Sequence, residues 1–293
     1  MPISHLALTL LLVFIWGFNF VVIKVGLQEI PPLFLCFARF FLMTIPAIFF
    51  VKFPATSFKK VALYGLCMFA LPFACLFIGM SIGVTPGLSS LLFQTQVIFS
   101  LILAVLFLGE SITRWQLIGA VVSFSGIALV GVNTSGSGPF LGFLLLIAGA
   151  AFWGIGNVVS KKIGKVNMIS LVVWGSLIAW PPLLILSLIL EGPGRLLLSL
   201  QHLSLLSIGS VLYITYLSTL LGFGIWSFLL HHHRLPTIAP FTLLVPIVAM
   251  ASSVLVLGET LEYWKIVAGI LVIAGLYVNL LGPRLFKKKG NRC

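Results

Sequence analysis

Trp16-Gly17-Phe18-Asn19-Phe20-Val21-Val22-Ile23-Lys24 returns past the midpoint as Trp153-Gly154-Ile155-Gly156-Asn157-Val158-Val159-Ser160-Lys161. The Trp-to-Lys spacing is identical, and the Asn falls one place later. A second echo follows. Leu108-Gly109-Glu110-Ser111-Ile112 matches Leu257-Gly258-Glu259-Thr260-Leu261, Trp115 matches Trp264 and Gly126 matches Gly275. Matches at both ends of a unit, in order, mark a duplication. A helix crossing a bilayer needs about 20 apolar residues. Ten apolar runs of that kind fall at 5–26, 33–51, 61–82, 87–108, 115–132, 140–160, 168–190, 204–230, 239–257 and 264–281. Barrel strands would be about half as long and would alternate. Each copy of the repeat therefore holds five crossings, residues 1–134 and 139–283, followed by a basic tail, 284–293. An odd number of crossings inverts the second copy. Inverted repeats place a transport site near the midplane between the halves.

Composition agrees. Of 293 residues, 60% are hydrophobic and 8% charged, and mean hydropathy is +1.23. A soluble domain is about 45–50% apolar and about 25% charged. Disorder is excluded because it needs low hydrophobicity. The expected class is an all-α integral membrane protein with ten transmembrane helices. The leader Met1-Pro2-Ile3-Ser4-His5 lacks Lys and Arg, so the first run is not expected to be a cleaved signal.

Charge sets the orientation. There are 17 Lys+Arg against 5 acids, all Glu. The basic residues sit in short loops and the tail, which suits topology rather than nucleic-acid binding. With the N-terminus inside, inside segments hold Lys52, Lys59, Lys60, Arg114, Lys161, Lys162, Lys165, Arg234, Arg284, Lys287, Lys288, Lys289 and Arg292. Outside segments hold only Lys24, Arg195 and Lys265. Both termini are expected to be cytoplasmic. Cys36, Cys67, Cys75 and Cys293 show no CxxC spacing, which suggests free thiols and neither a disulfide framework nor a zinc site.

Polar side chains inside apolar runs are costly unless they face protein or water. Those in this chain are Trp16, Asn19, Gln94, Gln96, Trp153, Asn157, Tyr213, Tyr216 and Trp226. Amides supply donors and acceptors together, and Trp and Tyr add flat apolar walls with one polar atom each. This set suits a small polar or zwitterionic molecule. The alternative is interhelical bonding, worth about 0.6 kcal/mol per bond. Arg39 lies alone inside the second run, where a central Arg costs about 2.5–3.5 kcal/mol on insertion scales. It is either a counter-charge for a substrate carboxylate or a structural Arg, snorkelling outward or bonded to carbonyls.

Glu110 and Glu259, each just past a Gly at a run's end, read as loop-fixing groups that bond free amides of the next helix; proton carriage is the rival reading. His231, His232 and His233 would diverge on a helix, so the three are not expected to share a metal. Pro46, Pro72, Pro181, Pro240 and Pro246 kink or end their helices. Gly119 and Ser123, spaced i, i+4, permit close helix contact. No GxxxxGK[ST], HExxH, paired intramembrane acids or convincing triad occurs. No enzyme, cofactor or metal is therefore expected.

The segment Trp16 through Leu27 resembles the opening of EamA-type exporters of the drug/metabolite transporter superfamily. So do Pro31-Pro32-Leu33, Ala38-Arg39-Phe40, Gly87-Leu88-Ser89-Ser90-Leu91, Gly109-Glu110, Gly224-Ile225-Trp226, Ala239-Pro240 and Leu243-Leu244-Val245-Pro246. The likeness covers nearly the whole chain, with the loops, including the His triplet, departing from it. It implies two inverted five-helix repeats, a bacterial inner-membrane location and alternating-access export of small amino-acid metabolites of the O-acetylserine and cysteine type. The substrate site would hold Trp16, Asn19, Arg39, Gln94, Gln96, Trp153, Asn157, Tyr216 and Trp226. Expected partners are an amino-acid-like substrate and the lipid bilayer, with protons as a candidate coupling ion and no nucleic acid. Rival readings are a broader amino-acid or drug exporter, and a non-transporting membrane enzyme or structural protein.

Overall fold

The computed structural model describes residues 1–109, 113–134, 139–164, 166–233 and 239–285. Glu110, Lys165, Arg234 and the tail from residue 286 lie outside the described residues, as do the side chains of His231, Pro240 and Arg284. The described chain is helical throughout. Its long elements are α1 (Ile3–Gly26), α2 (Pro32–Ile48), α3 (Phe58–Ser81), α4 (Pro86–Leu108) and α5 (Arg114–Thr134). They continue as α6 (Pro139–Ile163), α7 (Met168–Leu190), α8 (205–232), α9 (239–257) and α10 (Tyr263–Leu285). Each apolar run of the sequence overlaps one of these. Seven described helices are long and apolar enough to cross a bilayer; the apolar parts of α2, α9 and α10 are shorter. A short helix between α7 and α8, Pro193–Gln201, has no apolar run and was invisible to that reading.

Local chemistry explains the boundaries. Proline opens α2, α4 and α6, where its missing N–H costs nothing and its φ suits a first turn. The repeated Leu-Gly-Glu is a paired helix stop. Gly109 ends α4 at φ 66 and Gly258 ends α9 at φ 65, a left-handed conformation that glycine adopts without Cβ strain.

Two pairs of corresponding helices are irregular. α3 and α8 each contain a π-helical stretch, Leu66–Ala70 and Tyr213–Leu221. In α3, Pro72 follows after Leu71, and the wider register accommodates its missing donor. In α8, the Thr219 hydroxyl donates to the Ile214 carbonyl at 2.8 Å and so stands in for a ladder bond. α4 is broken at Gln94–Thr95, where Gln94 and Val97 bond three residues back. α9 begins as a 3₁₀ turn, Ala239–Leu244, and becomes α-helical at Val245, just before Pro246.

Packing follows the duplication. α1 lies against α8 and α9, and α6 lies against α3 and α4. The two Trp-Gly echoes allow this. A Cβ on Gly17 would come within 2.6 Å of Val248 in α9, and one on Gly154 within 2.9 Å of Phe99 in α4. α2 packs on α7, and α5 runs along α10. The α5–α10 contact uses the small-residue stripe expected from Gly119 and Ser123. A Cβ on Gly119 would lie 2.4 Å from the Gly275 carbonyl, and Ser123 donates to the Val272 carbonyl.

Candidate functional site

The site residues divide into groups, each carried by irregular backbone or by the repeated motif. At the two breaks, the Gln94 side-chain amide donates to the Thr242 carbonyl at 2.7 Å. The interruption of α4 is thus bonded to the 3₁₀ entry of α9. Irregular backbone inside an apolar helix survives only where its freed groups find partners or face a polar cavity.

Gln96, Asn157 and Ser100 form a second group. Asn157 Nδ2 donates to Gln96 Oε1 and to Ser100 Oγ, both at 2.9 Å. In this conformation Gln96 and Asn157 therefore bond α4 to α6. Trp16 forms a third group. Its Nε1 donates to the Ser218 carbonyl at 3.1 Å in the π-helical stretch of α8, and its ring lies 5.8 Å from that of Trp226. Gly222 makes room, since a Cβ there would meet Trp16 Nε1 at 2.6 Å. Asn19, one turn on, is 6% exposed, and its Oδ1 has no hydrogen-bond partner. The Tyr216 hydroxyl makes only a long bond, 3.4 Å, to the Leu42 carbonyl.

Arg39 does not snorkel. It is 2% exposed. Its Nε donates to Thr219 Oγ1 at 3.0 Å, its Cζ lies 4.1 Å from the Phe73 ring centroid, and its Nη1 has no partner. Arg39 also sits in a continuous run of rings that joins the two repeated tryptophans: Trp16, Phe223, Phe69, Phe40, Phe73 and Trp153.

Two hollows flank α8. One, lined by Met43, Met168, Val172, Thr219, Phe223 and Trp226 among others, holds about 10 Å³, room for about one water. The other is an open apolar groove at Leu8, Tyr216, Leu221 and Phe228. Neither touches Asn19, Gln94, Gln96, Trp153 or Asn157. Asn19 is buried, while Gln94, Gln96, Trp153 and Asn157 are half-buried.

The glutamates do something the sequence did not reveal. Glu191 accepts from the backbone N–H groups of Leu33 at 2.7 Å and Phe34 at 3.0 Å, and from the Ser187 hydroxyl at 2.6 Å. It caps the start of α2. Glu29 accepts from the Ser204 N–H at 2.9 Å and caps the start of α8. Ser204 and Ser207 hold the Glu29 carboxyl below the usual range. Each acid thus ties a loop of one half to a helix start of the other. Glu259 does not bond amides of the next helix, as its position suggested. Its carboxylate accepts from Ser253 and lies 3.8 Å from Lys265 Nζ, because Gly258 turns the chain so that Glu259 faces back towards α9. At the other end His5 Nδ1 meets His233 Nε2 at 2.7 Å, while His232 turns to stack on Phe228.

With this geometry in place, comparison with known proteins is decisive for ancestry. The sequence profile of the EamA-like transporter family matches residues 3–132 and 140–281. The chain belongs to the EamA-like transporter family. A Salmonella typhimurium protein named "Probable amino-acid metabolite efflux pump" is 41% identical over 95% of each chain. An Escherichia coli K12 protein of the same name is 39% identical over 94% of this chain and 95% of its own. A solved crystal structure superposes on this EamA protein with TM-score 0.65 over 98% of this chain and 99% of its own, at 16% identity. That likeness speaks for the fold alone. This EamA protein is accordingly a multi-pass membrane protein of a transporter family.

Proposed function

We propose that this protein is a secondary exporter of small zwitterionic amino-acid metabolites, of the O-acetylserine and cysteine type, in a bacterial inner membrane. α1 to α10 each cross the bilayer, in two inverted five-helix halves with both termini cytoplasmic. The thirteen-to-three distribution of basic residues supports that orientation. The carrying observation is the bond between the two broken helices, Gln94 to Thr242. Interrupted helices at corresponding positions of two repeats are the pattern of a transporter's midplane site. The two relatives named as metabolite efflux pumps support the cargo class.

In this reading Trp16, Asn19, Gln94, Gln96, Trp153, Asn157, Tyr216 and Trp226 line the path when either end opens. Asn19 offers an unused acceptor, and the bonds of Gln94, Gln96 and Asn157 exchange protein partners for cargo. Rocking of the halves alternates access. A carboxylate proton relay at mid-membrane plays no part, since the four described glutamates all lie at helix ends.

Uptake of labelled O-acetylserine into inside-out vesicles tests the proposal. The wild type is expected to exceed empty vesicles severalfold, and Asn19→Ala and Gln94→Ala to lower uptake about tenfold each, one lost charge-assisted bond being worth about 1.5 kcal/mol. Uptake equal to empty vesicles refutes transport; full uptake by both variants refutes the site.

A further inference from the structure

The cargo's charge has a seat in the fold. A guanidinium stays protonated in a protein, and a buried charge without a partner is strongly unfavourable. Arg39 is such a group. The four described glutamates are all engaged elsewhere: Glu29 at Ser204, Glu191 at Leu33 and Phe34, Glu259 at Ser253 and Lys265, and Glu262 at Trp264 and Lys265. None pairs with Arg39. One side of its guanidinium is against Phe73, its Nε is fixed by Thr219, and its Nη1 is buried with a donor unused.

Thr219 places Arg39 near Trp226, one of the residues proposed to line the path. Its hydroxyl accepts from Arg39, and the same residue lines the small hollow shared by Met43, Phe223 and Trp226. The π-helical register of α8 positions it, with its own O–H spent on Ile214. A planar donor fork, fixed on one edge and stacked on a ring, suits a planar carboxylate on its unpaired edge.

We propose that Arg39, oriented by Thr219 and Phe73, binds the cargo's carboxylate, so that a free carboxylate is a requirement of the transported class. This rests on the export reading above and adds to it which cargo group is recognised and by what.

Two cargo forms separate the proposals. Inside-out vesicles take up labelled O-acetylserine in competition with unlabelled O-acetylserine or with 2-aminoethyl acetate, the same molecule without its carboxylate. The wild type is expected to favour the carboxylate form by at least about tenfold, as for loss of one charge-paired contact. Arg39→Gln abolishes that preference. Arg39→Lys restores part of it, since an ammonium keeps the charge without the fork. Thr219→Val raises KM severalfold while leaving the maximal rate near that of the wild type, because it loosens the guanidinium without removing it. Equal competition by the two compounds in the wild type overturns the inference while leaving export standing, as does an Arg39→Gln protein that keeps the preference. Absence of wild-type uptake overturns both. Should Arg39→Gln fail to reach the membrane, the wild-type ratio and the Thr219→Val KM decide the matter.

Discussion

Replacing Glu191 by Ala should unfasten one end of the molecule. The carboxylate holds two backbone donors at the start of α2 and a serine hydroxyl, across the two halves. A lost N-cap costs about 0.5–2 kcal/mol, and a charge at a helix N-terminus contributes about 0.3–1 kcal/mol, more when partly buried. Taking about 2 kcal/mol, the open population at that end rises about 30-fold, since 1.4 kcal/mol is tenfold. Cys36 reports it. The thiol sits one turn inside α2, beyond the cap, and is 0% exposed. In a protein whose other cysteines, Cys67, Cys75 and Cys293, are Ala, a membrane-impermeant thiol reagent added from outside labels Cys36 only when that end parts. Its rate then follows the open population. Glu191→Ala should label about 30-fold faster and Glu191→Gln, which keeps an acceptor, by an intermediate factor, with Tm in detergent little changed. Glu29 adds a sign. Ser204 and Ser207 depress its pKa from 4.5. Its contribution is therefore complete above that value and is lost as pH falls through the lower bound-state value. Outside acidification should speed labelling too. Identical rates for wild type and Glu191→Ala would refute the latch, as would acceleration equalled by Glu262→Ala, whose carboxylate meets Trp264 and Lys265 of its own half.

The other predictions concern packing and the opposite end. Gly119→Val drives a side chain into the Gly275 carbonyl, 2.4 Å from the added Cβ; backbone does not yield cheaply, so a loss of at least about 1–3 kcal/mol is expected. A thermal melt in detergent checks it, with Gly209→Ala, whose Cβ meets nothing within 4 Å, as the neutral control. The His5–His233 contact should open as pH falls below about 6.5. Burial, His5, the N-terminal amine and His232 all depress the His233 pKa, so protonation favours the separated state, and the contact is complete above the free value and lost as pH falls through the lower value it has there. Spin-label distances between the ends of α1 and α8 would report it, and His5→Gln should remove the pH dependence.

What the sequence made legible was periodic or repeated. Long apolar runs overlap every major described helix, seven of which are long and apolar enough to cross a bilayer. The Trp-Gly and Leu-Gly-Glu echoes correctly flagged special positions, and the structure shows why: Gly17 and Gly154 admit a neighbouring helix, and Gly109 and Gly258 reverse the chain. Partners distant in sequence were not legible. Nothing in the residues around Glu191 says that its carboxylate meets α2, 157 or 158 positions away. Glu259 ties its loop through Ser253 and Lys265 and not through free amides, because a left-handed glycine before it redirects its side chain. The π-helical stretches leave no periodic trace, being single-register slips; only Pro72 hinted at one. Arg39 was legible as an anomaly, but whether it snorkelled depended on α8, whose Thr219 offers it an inward partner.

The same anomaly constrains the transport cycle. With cargo aboard, the guanidinium and a carboxylate neutralise each other, and the closed state carries a pair rather than a lone buried charge. Without cargo, the closed state keeps the charge with Thr219 and the faces of Phe73 and Phe40 to offset its desolvation. A cation–π contact supplies about 2 kcal/mol when desolvated, and a hydrogen bond from a charged donor about 1.5 kcal/mol or somewhat more. The effective burial penalty is several kcal/mol. The empty carrier should therefore cross the closed state more slowly than the loaded one. Return of the empty site, not movement of cargo, then limits the cycle, and cargo on the far side accelerates it by offering the charge a partner for the journey back.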